Sequence, residues 1–221
     1  MKPMLLINFK TYARGTGKKA LSLAKIADSV AKKTKAIIIL SVQPTDLEKV
    51  SASISIPVYA QHMDAITPGS HTGWILPEAV KGAGAKGTLI NHSEHNIEKK
   101  IISENVKKCK EMGIVSVCCA ATPKIAKELA AFGPDFIAIE PPELIGGDVS
   151  VAKARPEIIS DTVKTVKKAN PNVKVLCGAG VNSREDVSKA LKLGAEGVLV
   201  ASAIVKSEKP EKVIKDLISG F

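Results

Sequence analysis

The chain has 221 residues, 45% of them hydrophobic and 24% charged, the balance of a soluble globular protein with room for one large core. Its formal net charge of +10 comes almost wholly from lysine, with arginine only at positions 14, 155 and 184 and aromatic residues at 3%. No apolar run reaches the ~18 residues of a membrane span, and the opening MKPMLLIN is too short and too soon polar for a signal peptide.

In chain order, apolar runs of strand character alternate with segments of helical period. Met4–Phe9 precedes Lys18–Lys33, in which Ala20, Leu21, Leu23, Ala24, Ile26, Ala27 and Val30 form an inward face. Ala36–Val42 precedes Thr45–Ser51, and Val58–Gln61 leads across a long polar loop to Pro77–Gly82. Thr88–Asn91 precedes Ile97–Met112, and Ile114–Cys119 precedes Pro123–Ala131. Phe136–Ile139 leads to Pro156–Ala169, Val173–Cys177 to Arg184–Leu193, and Gly197–Ala201 to Pro210–Ile218. Pro77, Pro123, Pro156 and Pro210 stand near helix starts, with Gly113 and Gly194 just past helix ends. About eight βα units without a composition break predict an α/β fold, a single-domain (β/α)8 TIM barrel over residues 1–221, rather than an open doubly wound sheet.

The segment Phe136–Asp148, FIAIEPPELIGGD, is the most informative. An apolar strand ends on Glu140, two prolines stiffen the backbone behind it, and Gly146-Gly147 allow large dihedral changes further on. A carboxylate at the C-terminal mouth of a parallel strand points to where such folds keep their active sites. This describes a base at the root of a loop, about 140–149, able to close as a lid. A solvated or salt-bridged acid fits the same residue taken alone.

A barrel with its function at that mouth should gather polar and small residues at strand ends, and this chain does. The strands end in Asn8-Phe9-Lys10, Gln61-His62, Asn91-His92, Glu140, Gly178-Ala179-Gly180 and Ala201-Ser202. Cys109, Cys118, Cys119 and Cys177 lack zinc spacing and read as reduced, structural thiols of a cytoplasmic protein. His62, His71, His92 and His95 form no metal-ligand pattern, and GAGVNS (Gly178–Ser183) is only a fragment of a nucleotide-binding loop, so no cofactor is expected. Lysines dispersed as Lys32-Lys33, Lys99-Lys100, Lys107-Lys108 and Lys167-Lys168, without interleaved aromatics, describe a solvated basic shell rather than a nucleic-acid surface.

Together, INFKTY (Ile7–Tyr12), AQH with PGSHTG (Ala60–His62 and Pro68–Gly73), NHSE (Asn91–Glu94), EPPELIGGD (Glu140–Asp148), LCGAGV (Leu176–Val181) and GVLVAS (Gly197–Ser202) resemble the triosephosphate isomerase family in its short archaeal form. The pieces fall in the family's order and span nearly the whole chain.

The resemblance implies interconversion of glyceraldehyde 3-phosphate and dihydroxyacetone phosphate through an enediolate, in glycolysis and gluconeogenesis. It casts Glu140 as the base at carbon, His92 as a neutral donor to the substrate oxygens, and Lys10 as the cation beside developing charge, with Asn8 orienting the lysine. Asn8, Phe9 and Lys10, then Ile145 and Gly146 of the lid, then Gly180, Ala201 and Ser202, would contact substrate or its phosphate. Gly178 belongs to the same corner, and a short helical turn after Ser202 would add its positive end. Commoner relatives carry Ser in place of Gly180 and Gly-Gly in place of Ala201-Ser202, so the grip is expected to be mainly main-chain. Glu94, Gln61 and Thr72 are expected behind these groups. A loop at about 62–75 would dock into a neighbouring subunit of a homodimer or homotetramer and brace Asn8 and Lys10 there, although a local flap suits its composition equally.

Two rival readings stay open at this point. Other phosphate-gripping barrels are aldolases or epimerases, but no lysine lies inside a strand to form a Schiff base, and only Glu140 among the acids stands clearly at a strand end. A non-catalytic nucleic-acid binder is opposed by the scattered lysines.

Overall fold

The computed structural model describes residues 2–144 and 150–221. Its eight strands are β1 (Met4–Asn8), β2 (Ile37–Val42), β3 (Val58–Ala60), β4 (Gly87–Ile90), β5 (Val115–Ala120), β6 (Phe136–Ile139), β7 (Lys174–Cys177) and β8 (Gly197–Val200). They pair in parallel in chain order, and β8 returns to β1 to close the barrel.

The connections carry α1 (Gly17–Thr34), α2 (Pro44–Ser51), α3 (Pro77–Gly82), α4 (Lys99–Met112), α5 (Pro123–Ala130), α6 (Val151–Ala154), α7 (Pro156–Ala169), α8 (Arg184–Lys192), α9 (Ser202–Val205) and α10 (Pro210–Ile218). The turn expected after Ser202 is α9; α6 was not anticipated. Pro44, Pro77, Pro123, Pro156 and Pro210 each occupy a first-turn position, where the missing N–H costs nothing.

Strand alternation sorts the side chains into two cores. Met4, Leu6, Ile39, Tyr59, Leu89, Val117, Phe136, Ala138, Leu176 and Leu199 fill the barrel interior. Leu5, Ile7, Ile38, Leu40, Ile137, Val175 and Val198 pack outward with the helices. Strands buried on both faces need apolar residues at both parities, hence their unbroken Ile, Val and Leu.

The same alternation builds the mouth. Extending the inward parity by one position brings Asn8 after Leu6, Gln61 after Tyr59, Glu140 after Ala138, Gly178 after Leu176 and Ala201 after Leu199. The polar cast is therefore the last layer of the barrel core, carried by rigid strands rather than by free loops.

Candidate active site

Glu140 is 5% exposed, and its backbone N–H donates to the Ala120 carbonyl at 2.9 Å, carrying the β5–β6 ladder one residue past the strand. Its side chain lies over Gly178, where an added Cβ would stand 2.5 Å from Glu140 Cγ. The β7 strand thus yields the space that the carboxylate occupies. Oε2 is buried and makes no hydrogen bond of normal geometry among the described residues. The adjoining Cys119 thiol is a weak donor; burial and then the charge of Glu140 push it well above its ordinary range, so it stays protonated. A buried carboxylate oxygen left without a strong donor is costly.

His92 is 7% exposed and places Nε2 at 3.6 Å from Glu140 Oε1. Leu89 faces inward, so a regular strand would turn His92 outward. Asn91 breaks the alternation with φ of 60°, a left-handed conformation that asparagine tolerates better than most residues. Its side chain secures the turn, donating to the Cys119 carbonyl at 3.1 Å and accepting from the Ile97 N–H at 3.1 Å. α4 begins at Lys99, two residues later than expected. The Glu94 N–H donates to His92 Nδ1 at 3.1 Å. In the neutral ring, Nδ1 is then the acceptor and Nε2 carries the hydrogen, aimed across the mouth.

Lys10 follows β1 with φ of 46°, and its N–H donates to Asn8 Oδ1 at 2.9 Å. Its ammonium pairs with Glu94 Oε1 at 2.8 Å, and its side chain is only 11% exposed. Gln61 Nε2 donates to the Lys10 carbonyl at 3.1 Å and to Asn8 Oδ1 at 3.3 Å. Gln61 therefore braces Asn8 and Lys10 of its own chain. Glu94 stands beside Lys10 as its ion-pair partner.

Glu140, His92, Lys10 and Asn8 line one cavity, whose other end is formed by Ala179–Asn182 and Leu199–Ser202. Ala179 and Gly180 both take left-handed backbone, with φ of 65° and 68°, and the turn that they form lines the cavity. α9 begins at Ser202, and the first amides of such a turn have no acceptor within it.

Two expectations need correction. Phe9 is fully buried in the outer core and does not line the cavity, because strand alternation sends it outward after Asn8. Gly178 does not line the cavity either; its missing Cβ makes way for Glu140. Thr72, expected to act from behind through a neighbouring subunit, lies on an exposed run, residues 67–74. Ile145 and Gly146, with most of the lid, lie outside the described residues. Tyr12 and Asn182 line the cavity and were not singled out, since both stand beyond the strand ends, where alternation gives no guidance. Among the described residues no group of three His, Cys, Asp or Glu side chains could hold a metal ion.

A family model described as triosephosphate isomerase matches residues 3–218. The triosephosphate isomerase of Methanocaldococcus jannaschii is 48% identical over 215 residues, covering 97% of this chain and 98% of that protein. The enzyme of Methanothermus fervidus is 47% identical over 218 residues, covering 99% and 98% respectively. That of Methanoculleus marisnigri is 49% identical over 217 residues, covering 98% of both.

Proposed function

Because the chain belongs to the triosephosphate isomerase family, we infer that its mouth interconverts glyceraldehyde 3-phosphate and dihydroxyacetone phosphate, the glycolytic and gluconeogenic triose exchange. The observation that carries this reading is the convergence of Glu140, His92 and Lys10, from three remote parts of the chain, on one small cavity with an amide-rich end. The reaction moves a proton between adjacent carbons through an enediolate. It therefore needs a base at carbon, a donor at the oxygens and a separate hold on the phosphate.

Glu140 is the base. Its unsatisfied Oε2 and its burial give it a reactive, poorly solvated carboxylate, and it returns the proton to the neighbouring carbon. His92 donates from Nε2–H to the substrate oxygens and supports proton exchange between them as a neutral ring. The ammonium of Lys10 balances the developing charge, while Asn8 and Gln61 hold Lys10 in its strained backbone conformation. The phosphate sits among the amides of Gly180 and Val181 and of Ala201 and Ser202, a main-chain grip that needs no side-chain contribution from Ser202. In this reading the Ile145–Gly146 segment supplies a further amide when the lid covers the substrate.

The reading extends to assembly and location. The exposed run at residues 67–74 carries Trp74, which is 57% exposed, and a second copy of the chain is the fitting partner for so large an exposed aromatic surface. A homodimer or homotetramer follows, and sedimentation of Trp74→Ser should show dissociation at micromolar protein. The four buried, free cysteines suit a reducing cytoplasm.

The decisive experiment is simple. Purified protein, freed of metal by chelation and given no cofactor, should convert glyceraldehyde 3-phosphate to dihydroxyacetone phosphate; no conversion at micromolar enzyme would reject the activity.

A further inference from the structure

Asp186 lies outside the cavity and yet gathers its phosphate end together. It stands in the first turn of α8, 2% exposed, and its two oxygens collect donors from two separate segments. Oδ2 accepts the N–H groups of Asn182 and Ser183, each at 3.0 Å, and the Ser183 hydroxyl at 3.1 Å. Oδ1 accepts the Ser150 hydroxyl at 2.7 Å and the Lys153 ammonium at 2.9 Å.

A helix cap accounts for only half of this. The capping box between Ser183 and Asp186 is complete with the donors at Oδ2. Those at Oδ1 come from the start of α6, in a different βα unit, and they join that helix to the turn after β7. The Val151 N–H, reaching the Ala179 carbonyl at 3.4 Å, closes the same junction. The turn so clamped, Ala179–Asn182, lines the cavity. It contains a left-handed alanine, a conformation that carries a backbone penalty and persists only when its surroundings impose it.

Resting on the function inferred above, we propose that Asp186 is a positioning residue for the phosphate end of the substrate: it touches no ligand, but by clamping residues 179–182 against α6 it fixes the amides that receive the phosphate. Its ionisation agrees with this role. Burial alone would raise its pKa, and the hydrogen bonds from Ser150, Asn182, Lys153 and Ser183 outweigh burial and hold it below the ordinary range. The carboxylate is thus charged and fully engaged at neutral pH.

The test compares Asp186→Ala, Asp186→Asn and Ser150→Ala with the unaltered chain, measuring KM, kcat and the inhibition constant of inorganic phosphate. Loosening the amides by a fraction of an ångström should raise KM and the phosphate inhibition constant together by about tenfold in Asp186→Ala, with kcat falling less than about threefold. Asp186→Asn keeps one carbonyl oxygen for the Asn182 and Ser183 amides but turns a donor toward the Lys153 ammonium, so its KM and phosphate inhibition constant should fall between those of Asp186→Ala and the unaltered chain. Ser150→Ala leaves the capping box whole and should raise the phosphate inhibition constant about twofold. If Asp186→Ala does not fold, the other two variants decide, and an unchanged phosphate inhibition constant in Ser150→Ala overturns the proposal. A folded Asp186→Ala enzyme with unchanged KM and phosphate inhibition overturns it directly. An unaltered chain without isomerase activity would instead reject the underlying function, so the two failures are distinct.

Discussion

The two ends of the barrel treat their polar atoms in opposite ways. At the N-terminal end, polar groups are paired off. Asp28 takes the Ser55 and Ile56 amides, the Ser55 hydroxyl and the Lys32 ammonium, Asp135 takes the Ser116 amide and hydroxyl, and Lys167 meets Glu196 at 2.9 Å. At the C-terminal mouth, Glu140 Oε2 and Ser93 Oγ are buried without a normal partner among the described residues, and Lys10, Asn91 and Ala179 hold left-handed backbone. One end is paired for stability; the other keeps unspent interaction capacity at Glu140, which the proposed reaction assigns to a substrate. Substitutions should separate accordingly, with the mouth governing rate and the opposite end governing folding.

Glu140→Gln tests this contrast most severely. Replacing the base should lower kcat by roughly 10³–10⁴-fold. Melting temperature should hold steady or rise, because the change removes a buried charge that lacks a strong donor. A variant with near-normal turnover would show that the base lies elsewhere, and one that unfolds would show that Glu140 serves the core.

Lys10→Met comes next, with an expected loss in kcat/KM of about 10²–10³-fold. KM and kcat should both suffer, since the ammonium meets charge in the bound substrate and more of it in the enediolate. His92→Asn should cost about 10²-fold in kcat with KM close to normal. Steady-state kinetics on the two variants distinguish a cation that binds from a ring that shuttles protons, and equal patterns would blur that division.

What could be read in advance follows the same divide between side chain and neighbourhood. Glu140, His92 and Lys10 were legible because a polar residue ending an apolar strand has few structural explanations, and eight such strands imply a common mouth. Phe9 was misassigned by adjacency, although alternation from Asn8 turns it outward. Gly178 was read as a phosphate contact because small residues at strand seven suit that task. Its service to Glu140 depends on which strand lies beside β7, a tertiary fact. Asp186 was not singled out in the sequence, because nothing local announces that Ser150 and Lys153 reach it.

Gly178→Ala sharpens the contrast from within the mouth. The new Cβ would press on Glu140 Cγ at 2.5 Å, so the carboxylate must shift. A displacement near 1 Å should lower kcat by about 10–10²-fold, and the overpacking should cost about 1–3 kcal/mol. Normal kinetics in this variant would mean that Glu140 does not depend on its bed in β7.

The smallest effect on rate belongs to the opposite end. Burial would raise the pKa of Asp28, but hydrogen bonds from Lys32 and Ser55 outweigh it and lower the carboxyl from 3.8 to about 2. A group depressed on folding binds its proton more readily when unfolded, so it contributes stability above pH ~3.8, and that contribution drains away as pH falls through about 2. Asp28→Asn keeps one carbonyl for the Ser55 amide and loses the ion pair with Lys32, which is 61% exposed at the side chain; the expected cost is therefore about 1 kcal/mol. Melting temperature at pH 7 should drop by about 2–4 °C, the gap to the unaltered chain should close toward pH 2, and kcat should not change. A fall in kcat would join the two ends of the barrel functionally, and a gap that persisted at pH 2 would mean that the aspartate acts through shape and not through its charge.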